Sequence, residues 1–527
     1  MQTVTPTHTA RQVAPIAFLR EGWVVGLLLF VVAFIPAALP HPVFTIDETR
    51  SWERRSVIFR AAMQNNNPEN TIITHHPGVL TMWLGWAGLT LESQFNPDGT
   101  MPDARRMYYI RVPAALYNAL GVVLGYWLLR RLFGEPIAGF AGLLWATDPW
   151  LTAHSGILHI DALSTTSATL ALLAILLAAR GQRGVGWWIA AGIFTGLAAL
   201  AKFTLFFMCG MVPVAVWLHT RNLSWRPRLI QLIWTTALVT LSAVVIFVAL
   251  YPGVPADPGR FIDMTLNGIT NVALSPHENG NFFWGRIVPD PGPLFYPVAL
   301  MFRLTPWVIA GLLVLPFFWR SHTVEKRRTL LTMLTFILLF TLFMVVQDKK
   351  FDRYVLPVFP TAAILAAAGL LPLFRRWTKR NVLLRVAVGV VAIAQLAAYY
   401  PNGLAYYNPL VGGGPVAQRI FLIGWGEGYA EAVNFIQDRE EKTCVTIAAS
   451  DTKILQRHLP RDCATATVDY APGVAYVSPE VQYWLLETNH LQREPNLEQL
   501  LASVEPVHRV SLFGADYIQV YATNDLP

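Results

Sequence analysis

Apolar residues run along this chain in blocks of about twenty, the length a helix needs to cross the hydrocarbon core of a bilayer with its backbone amides satisfied internally. The blocks fall at 23–40, 110–129, 136–153, 161–179, 185–201, 203–219, 229–251, 294–319, 329–346, 354–374 and 381–400. They predict a mainly α fold: a polytopic membrane bundle of about 11 transmembrane helices. The first block is expected to stay in the chain, because no small-residue cleavage site follows it and ten further blocks do.

Basic residues orient the bundle. Arg11 and Arg20, Arg130 and Arg131, Arg180 and Arg183, Arg221, Arg226 and Arg228, Arg320 with Lys326, Arg327 and Arg328, and Arg375, Arg376, Lys379 and Arg380 all fall in alternate turns. The N-terminus is therefore expected in the cytoplasm. An odd number of spans places residues 401–527 outside, with two long loops, 41–109 and 252–293. The expected division is a membrane domain over 1–400 and a small extracytoplasmic α/β domain over 401–527, where short β-branched runs such as Cys444–Ile447 and Tyr517–Tyr521 alternate with helical patterns. Cys444 and Cys463, nineteen residues apart, are expected to form a disulfide in that oxidising compartment.

Composition sharpens this picture. Hydrophobic residues make up 54% of the chain and charged residues only 14%, against about 25% charged in soluble domains. The net charge of +7 is thin for 527 residues and gives no reason to expect a nucleic-acid partner. Gly424, Gly426 and Gly428 lack the spacing of a dinucleotide loop, so no such cofactor is expected.

The residues that break the charge rule carry the chemistry. Arg50, Arg54, Arg55, Lys202, Lys349, Lys350 and Arg353 fall at outer helix ends, where topology does not call for cations. Each alone could serve a local salt bridge with Asp47, Glu48, Glu53, Asp348 or Asp352, and Lys202 could simply snorkel. Coming from three separate loops, they fit convergence on an anion such as a phosphate. The first loop supplies the acid: Asp47 and Glu48 follow the first span directly, and Trp52 and Phe59 at helical spacing suggest an amphipathic helix lying in the interface. Asp47 is placed to accept a proton from a hydroxyl nucleophile, and equally to cap a helix. Asp161 opens the fourth span after His154 and His159, and Asp148 ends the third; capping suffices for Asp161, and a place in the cleft is open to both.

Several stretches resemble one superfamily. These are Asp47-Glu48, Thr74-His75-His76-Pro77-Gly78, Phe282-Phe283-Trp284-Gly285, Asp290-Pro291-Gly292-Pro293, Lys350-Phe351-Asp352-Arg353-Tyr354, Tyr406-Tyr407-Asn408-Pro409 and Gly424-Trp425-Gly426-Glu427-Gly428. In this order along an eleven-span topology they resemble the lipid-carrier-dependent membrane glycosyltransferases of the multi-helix (GT-C) type, which include protein O-mannosyltransferases and aminoarabinose transferases. The resemblance implies transfer of a sugar from a polyprenyl-monophosphate carrier to a protein, lipid or glycan acceptor outside the cytoplasm, with inversion. It implies Asp47 as catalytic carboxylate with Glu48 beside it, Lys350 and Arg353 as the clamp on the carrier phosphate, and Tyr354 and Lys202 lining the same site. Arg50, Arg54, His75, His76, Asp161 and His277 are the further expected contacts to sugar or phosphate. A divalent metal at His75, His76, His154, His159 or His277 is the lesser alternative, since their spacing is not that of a dedicated site. A secondary transporter of an anionic substrate is the rival class; it would show internal repeats and charge near the membrane midplane, and neither is seen.

Overall fold

The computed structural model describes residues 15–181, 184–268, 270, 280–377, 381–460, 462–471, 474–476 and 480–526. The fold is a helical bundle surmounted by a small C-terminal sheet. Five described helices are long and apolar enough to cross a membrane, or seven if each of two sharply bent pairs is one span. Several expected blocks are interrupted or short. The block at 136–153 breaks at Asp148-Pro149 into helices Glu135–Ala146 and Pro149–Ser155. The block at 294–319 bends by 113° between Phe295–Arg303 and Pro306–Ser321. Proline at a helix start and polar caps end helices that hydrophobicity alone would run together.

Burial identifies the centre of the bundle. Every residue of helix Ile160–Ala179 is buried, and its small Ala, Ser and Thr side chains let neighbours approach closely. Its polar groups are satisfied across helices: Tyr117 shares a hydrogen bond with Ser167 at 2.7 Å, and Thr166 donates to Asn118 at 2.7 Å. Helix Trp225–Leu250 is the opposite case. It buries only Thr235, Val239, Ala243 and Phe247, one stripe at four-residue spacing, and exposes Ile230, Ile233 and Leu241 as a lipid-facing side would.

The first outer loop is structured throughout. Its Trp52 and Phe59 are buried, and Phe59 meets Trp83 and Trp86 of helix Val79–Phe95 edge-on. The expected amphipathic helix thus exists, at Glu53–Gln64, with Phe59 and Ala62 packed on protein. Over the C-terminal residues, strands Ile447–Ala449, Thr465–Thr467 and Tyr483–Glu487 run parallel, and Ala515–Ala522 and His508–Leu512 add antiparallel to the Tyr483–Glu487 side. Cys444 and Cys463 are joined in a disulfide.

Helices Pro306–Val314 and Phe359–Trp377 cross at Gly311 and Gly369. A Cβ at Gly369 would lie 2.2 Å from the Gly311 carbonyl oxygen, and one at Gly311 would lie 2.5 Å from the Ala366 Cα. Both obstacles are backbone and cannot rotate away. Gly369→Val or Gly311→Val should therefore cost about 1–3 kcal/mol or more and lower the melting midpoint of the detergent-purified protein. Gly210→Val, which meets nothing within 4 Å, should leave it unchanged.

Candidate active site

Asp47 sits at the start of a π-helical turn, Glu48–Trp52, that leads into helix Glu53–Gln64. Asp47, Ser51, Trp52 and Arg55 line a cavity, while Glu48 points into the protein. Glu48 is fully buried, receives Arg111 Nε at 2.8 Å and Nη2 at 2.5 Å on its two oxygens, and also accepts the Leu158 backbone N–H at 2.9 Å. That leaves Glu48 outside the cavity, as the anchor of the loop and not as a second reactive acid.

A compact charge cluster surrounds Asp47. Its Oδ2 lies 3.2 Å from Arg353 Nη2 and 3.4 Å from His159 Nε2. The far side of His159 faces Asp161, with Nδ1 3.3 Å from Oδ2. Asp161 also takes Lys202 Nζ at 2.9 Å and lies 3.5 Å from Arg353 Nε. The Arg353 guanidinium stacks on Trp425, 4.4 Å from the ring centroid, which fixes its plane. Burial alone would raise the Asp47 carboxyl. The His159 hydrogen bond and the Arg353 charge overcome it and hold Asp47 well below the ordinary carboxylate range. His76 is driven the other way, well below its ordinary value, by burial and then by His75 and Arg55, and so is neutral.

Two cavities meet at this cluster. The larger, about 380 Å³, is lined by the cations Arg55, Lys202, Lys349 and Arg353 against the carboxylates Asp47 and Asp161, with His75, His76 and Tyr354. The second, about 220 Å³, has aromatic walls of Trp150, Tyr407, Trp425 and Tyr517, with Glu427, Asn489 and Arg493 among its polar groups. Asp47, Phe351 and Arg353 line both. Lys202 ends helix Val185–Ala201 in an extended conformation, so the helix break itself delivers the ammonium, which lies 4.1 Å from the Tyr354 ring centroid.

The structure thus gathers Asp47, His75, His76, Asp161, Lys202, Arg353 and Tyr354 in one cavity. It does not bring in the other expected residues. Lys350 is fully buried in a pair with Asp290, and its neighbour Lys349 faces the cavity instead. Arg50 pairs with Asp451 at 2.8 Å, Arg54 is solvent-exposed, and Asp148 caps helix Pro149–Ser155 through the Leu151 N–H at 2.9 Å. His277 lies outside the described residues. Among the described residues no group of His, Cys, Asp and Glu is arranged to hold a metal ion. The sequence offered His159 as one of several histidines for a metal, and Trp425 within a motif of the resemblance, but placed neither beside Asp47.

Comparison with known proteins agrees with this architecture. A family model described as dolichyl-phosphate-mannose-protein mannosyltransferase matches residues 104–247. The structure superposes on ArnT from Cupriavidus metallidurans bound to undecaprenyl phosphate with a TM-score of 0.50 and 15% identity, covering 98% of this chain and 100% of that one. The apo form of the same protein gives 0.52 and 14%, covering 96% and 99%. This chain is a multi-pass membrane protein with the GT-C glycosyltransferase fold. Among relatives by sequence, an undecaprenyl phosphate-alpha-4-amino-4-deoxy-L-arabinose arabinosyl transferase of Pseudomonas aeruginosa is 28% identical over 392 residues, 72% of this chain and 65% of the relative. A second such transferase, of Pseudomonas fluorescens, is 25% identical over 395 residues, 72% of this chain and 66% of the relative. The chain spans about two thirds of the length of these two relatives.

The two adjacent acids of the first loop should separate cleanly in the laboratory. Glu48→Gln leaves Arg111 buried without its counter-charge and should cost about 3–5 kcal/mol, seen as a large fall in melting midpoint. Asp47→Asn, at the cavity wall, should melt close to the parent.

Proposed function

We propose that this protein transfers a sugar from a polyprenyl-monophosphate carrier to an acceptor at the outer face of the membrane, with inversion at the anomeric carbon. The observation that carries this reading is the contact between Asp47 and Arg353 in a wall shared by two cavities. A carboxylate and a guanidinium so placed can act on the two ends of one displacement: proton removal from the nucleophile and charge stabilisation on the leaving phosphate.

In this scheme the carrier phosphate lies in the larger cavity among Arg55, Lys202, Lys349 and Arg353, whose positive charge exceeds that of the two carboxylates there. The acceptor approaches Asp47 through the aromatic chamber. Its oxygen bonds to the anomeric carbon as the bond from that carbon to the phosphate oxygen breaks, and the electron pair leaves with the phosphate. Asp47 takes the acceptor's proton. A carboxylate held below its ordinary range is a weak base, so proton transfer accompanies attack and does not precede it. His75 and His76 offer polar contacts to the sugar or phosphate. The acceptor is a protein, lipid or glycan, and the arginine distribution supports the reading that this site and residues 401–527 lie outside the cytoplasm.

Purified protein incubated with a panel of polyprenyl-phosphate sugars should consume one class of carrier and release polyprenyl phosphate, both identifiable by mass spectrometry. Turnover of none of them would refute the reading. Asp47→Asn should bind donor normally and lose transfer by roughly 10²- to 10⁴-fold. Arg353→Gln should lose both donor affinity and turnover, because it touches the phosphate and the developing charge.

A further inference from the structure

His159 occupies an unusual position in the cluster. It is buried, it lies between two carboxylates, and each ring nitrogen faces one of them: Nε2 at 3.4 Å from Asp47 Oδ2 and Nδ1 at 3.3 Å from Asp161 Oδ2. Two descriptions of the ring are open to it. As a neutral imidazole protonated on Nε2, it accepts the Asp161 backbone N–H at 3.3 Å and donates only to Asp47. Asp161 Oδ2 is then a buried oxygen with no hydrogen-bond donor, a costly omission for a carboxylate. As an imidazolium it donates to both acids and satisfies that oxygen, while the Asp161 N–H, one of the free donors of the first helical turn, gives up Nδ1 as its acceptor.

We infer that His159 is a positioning residue, an imidazolium clasped between Asp47 and Asp161 that keeps Asp47 ionised and aimed, and that loss of its proton ends transfer on the alkaline side. This rests on the sugar-transfer reading above. It adds to it because Arg353, the other partner of Asp47, is claimed by the carrier phosphate when donor binds. His159 is then the cation that remains beside the base.

The surroundings fit a charged ring. Asp47 and Asp161 face it directly; Arg353 and Lys202 reach it only through those carboxylates, and His154 is the other imidazole nearby. Trp425 and Trp52 present edge-on contacts with centroids at 5.0 and 6.0 Å, and the nearly buried ring borders the larger cavity. Burial pulls the imidazole down, and Asp161 and then Asp47 more than offset it, so the proton is held above the ordinary histidine range. The sign follows: the active form is present below that raised value and disappears as pH rises through it.

Two readouts test this. The first is the pH profile of transfer at saturating donor. The parent should show an alkaline fall, His159→Gln should be slower and lack that fall, and Asp161→Asn should move its midpoint down by about 1 to 3 pH units. An alkaline fall that persists in His159→Gln would assign it to a lysine and overturn the inference, as would a parent profile with no fall. The second readout needs no donor and stands even if the transfer reading fails. Protonated imidazole quenches indole, so tryptophan fluorescence of the purified parent should rise with alkaline pH through a midpoint above the ordinary histidine value. That midpoint should drop in Asp47→Asn and in Asp161→Asn, and the titration should vanish in His159→Gln. A titration that neither carboxylate moves would show that His159 is not held between them.

Discussion

The buried pair between Glu48 and Arg111 anchors the chain around the Asp47 cluster. Arg111 belongs to helix Asp103–Phe133, Glu48 to the turn after the first helix, and the Leu158 N–H that shares the Glu48 carboxylate leads directly to His159 and Asp161. One carboxylate thus ties three distant segments. A buried ion pair contributes little net stability compared with apolar packing, because desolvation consumes most of the Coulomb attraction. What it supplies here is registry: three stretches of chain meet in only one arrangement that satisfies every donor, and that arrangement sets Asp47 beside His159.

Registry matters because the cluster above it is built from opposing charges at contact distance. Asp47 and Asp161 would repel each other into protonation were they alone. His159 and Arg353 stand between them, and Lys202 backs Asp161. The arrangement keeps both acids ionised at the cost of basicity. An acid so stabilised suits a displacement in which the leaving group departs early, since the base then has to receive only a proton that the new bond is already acidifying. On the proposed reading, the cations lining the larger cavity balance the charge that the leaving group carries away.

How far this could be read from the sequence follows from what the sequence encodes locally. Arg353 was legible because it breaks the charge pattern of a membrane protein beside an apolar block, and Asp47 because it follows the first apolar block directly. Lys349 and Lys350 were not separable, since both violate it equally and only the local chain path decides which one meets Asp290 and which one the cavity. Glu48 looked like a partner of Asp47 because its true partner, Arg111, hides in the second apolar block, sixty-three residues on. The helical class and the C-terminal α/β pattern were plain. Helix boundaries were less so, because hydropathy records only how apolar a stretch is, and Asp148-Pro149 or Thr305-Pro306 can break a helix without interrupting that record.

The C-terminal residues contribute more than a cover. Trp425 forms the surface on which Arg353 stacks and also meets His159 edge-on, so the two cations that flank Asp47 are both held by a side chain from beyond the last apolar block. Its loop is fastened to the first outer loop by the Ile46 N–H donating to the Trp425 carbonyl at 3.3 Å. Gly426 comes so close to the Phe44 carbonyl that a Cβ would lie 2.0 Å from it. Arg457, bridging Glu53 at 2.7 Å and Asp103 at 2.9 Å, adds a second fastening from the same side. The geometry of the base is therefore a joint property of the bundle and the C-terminal sheet region. Were that region to lift away, Arg353 would lose its stacking partner and His159 its edge-on contact. Arg353 would then be free to turn from Asp47, and a water molecule could take over one of the imidazole's hydrogen bonds. The electrostatics of the cluster are assembled by docking, and a bundle without its C-terminal region would hold the same residues in an undefined arrangement.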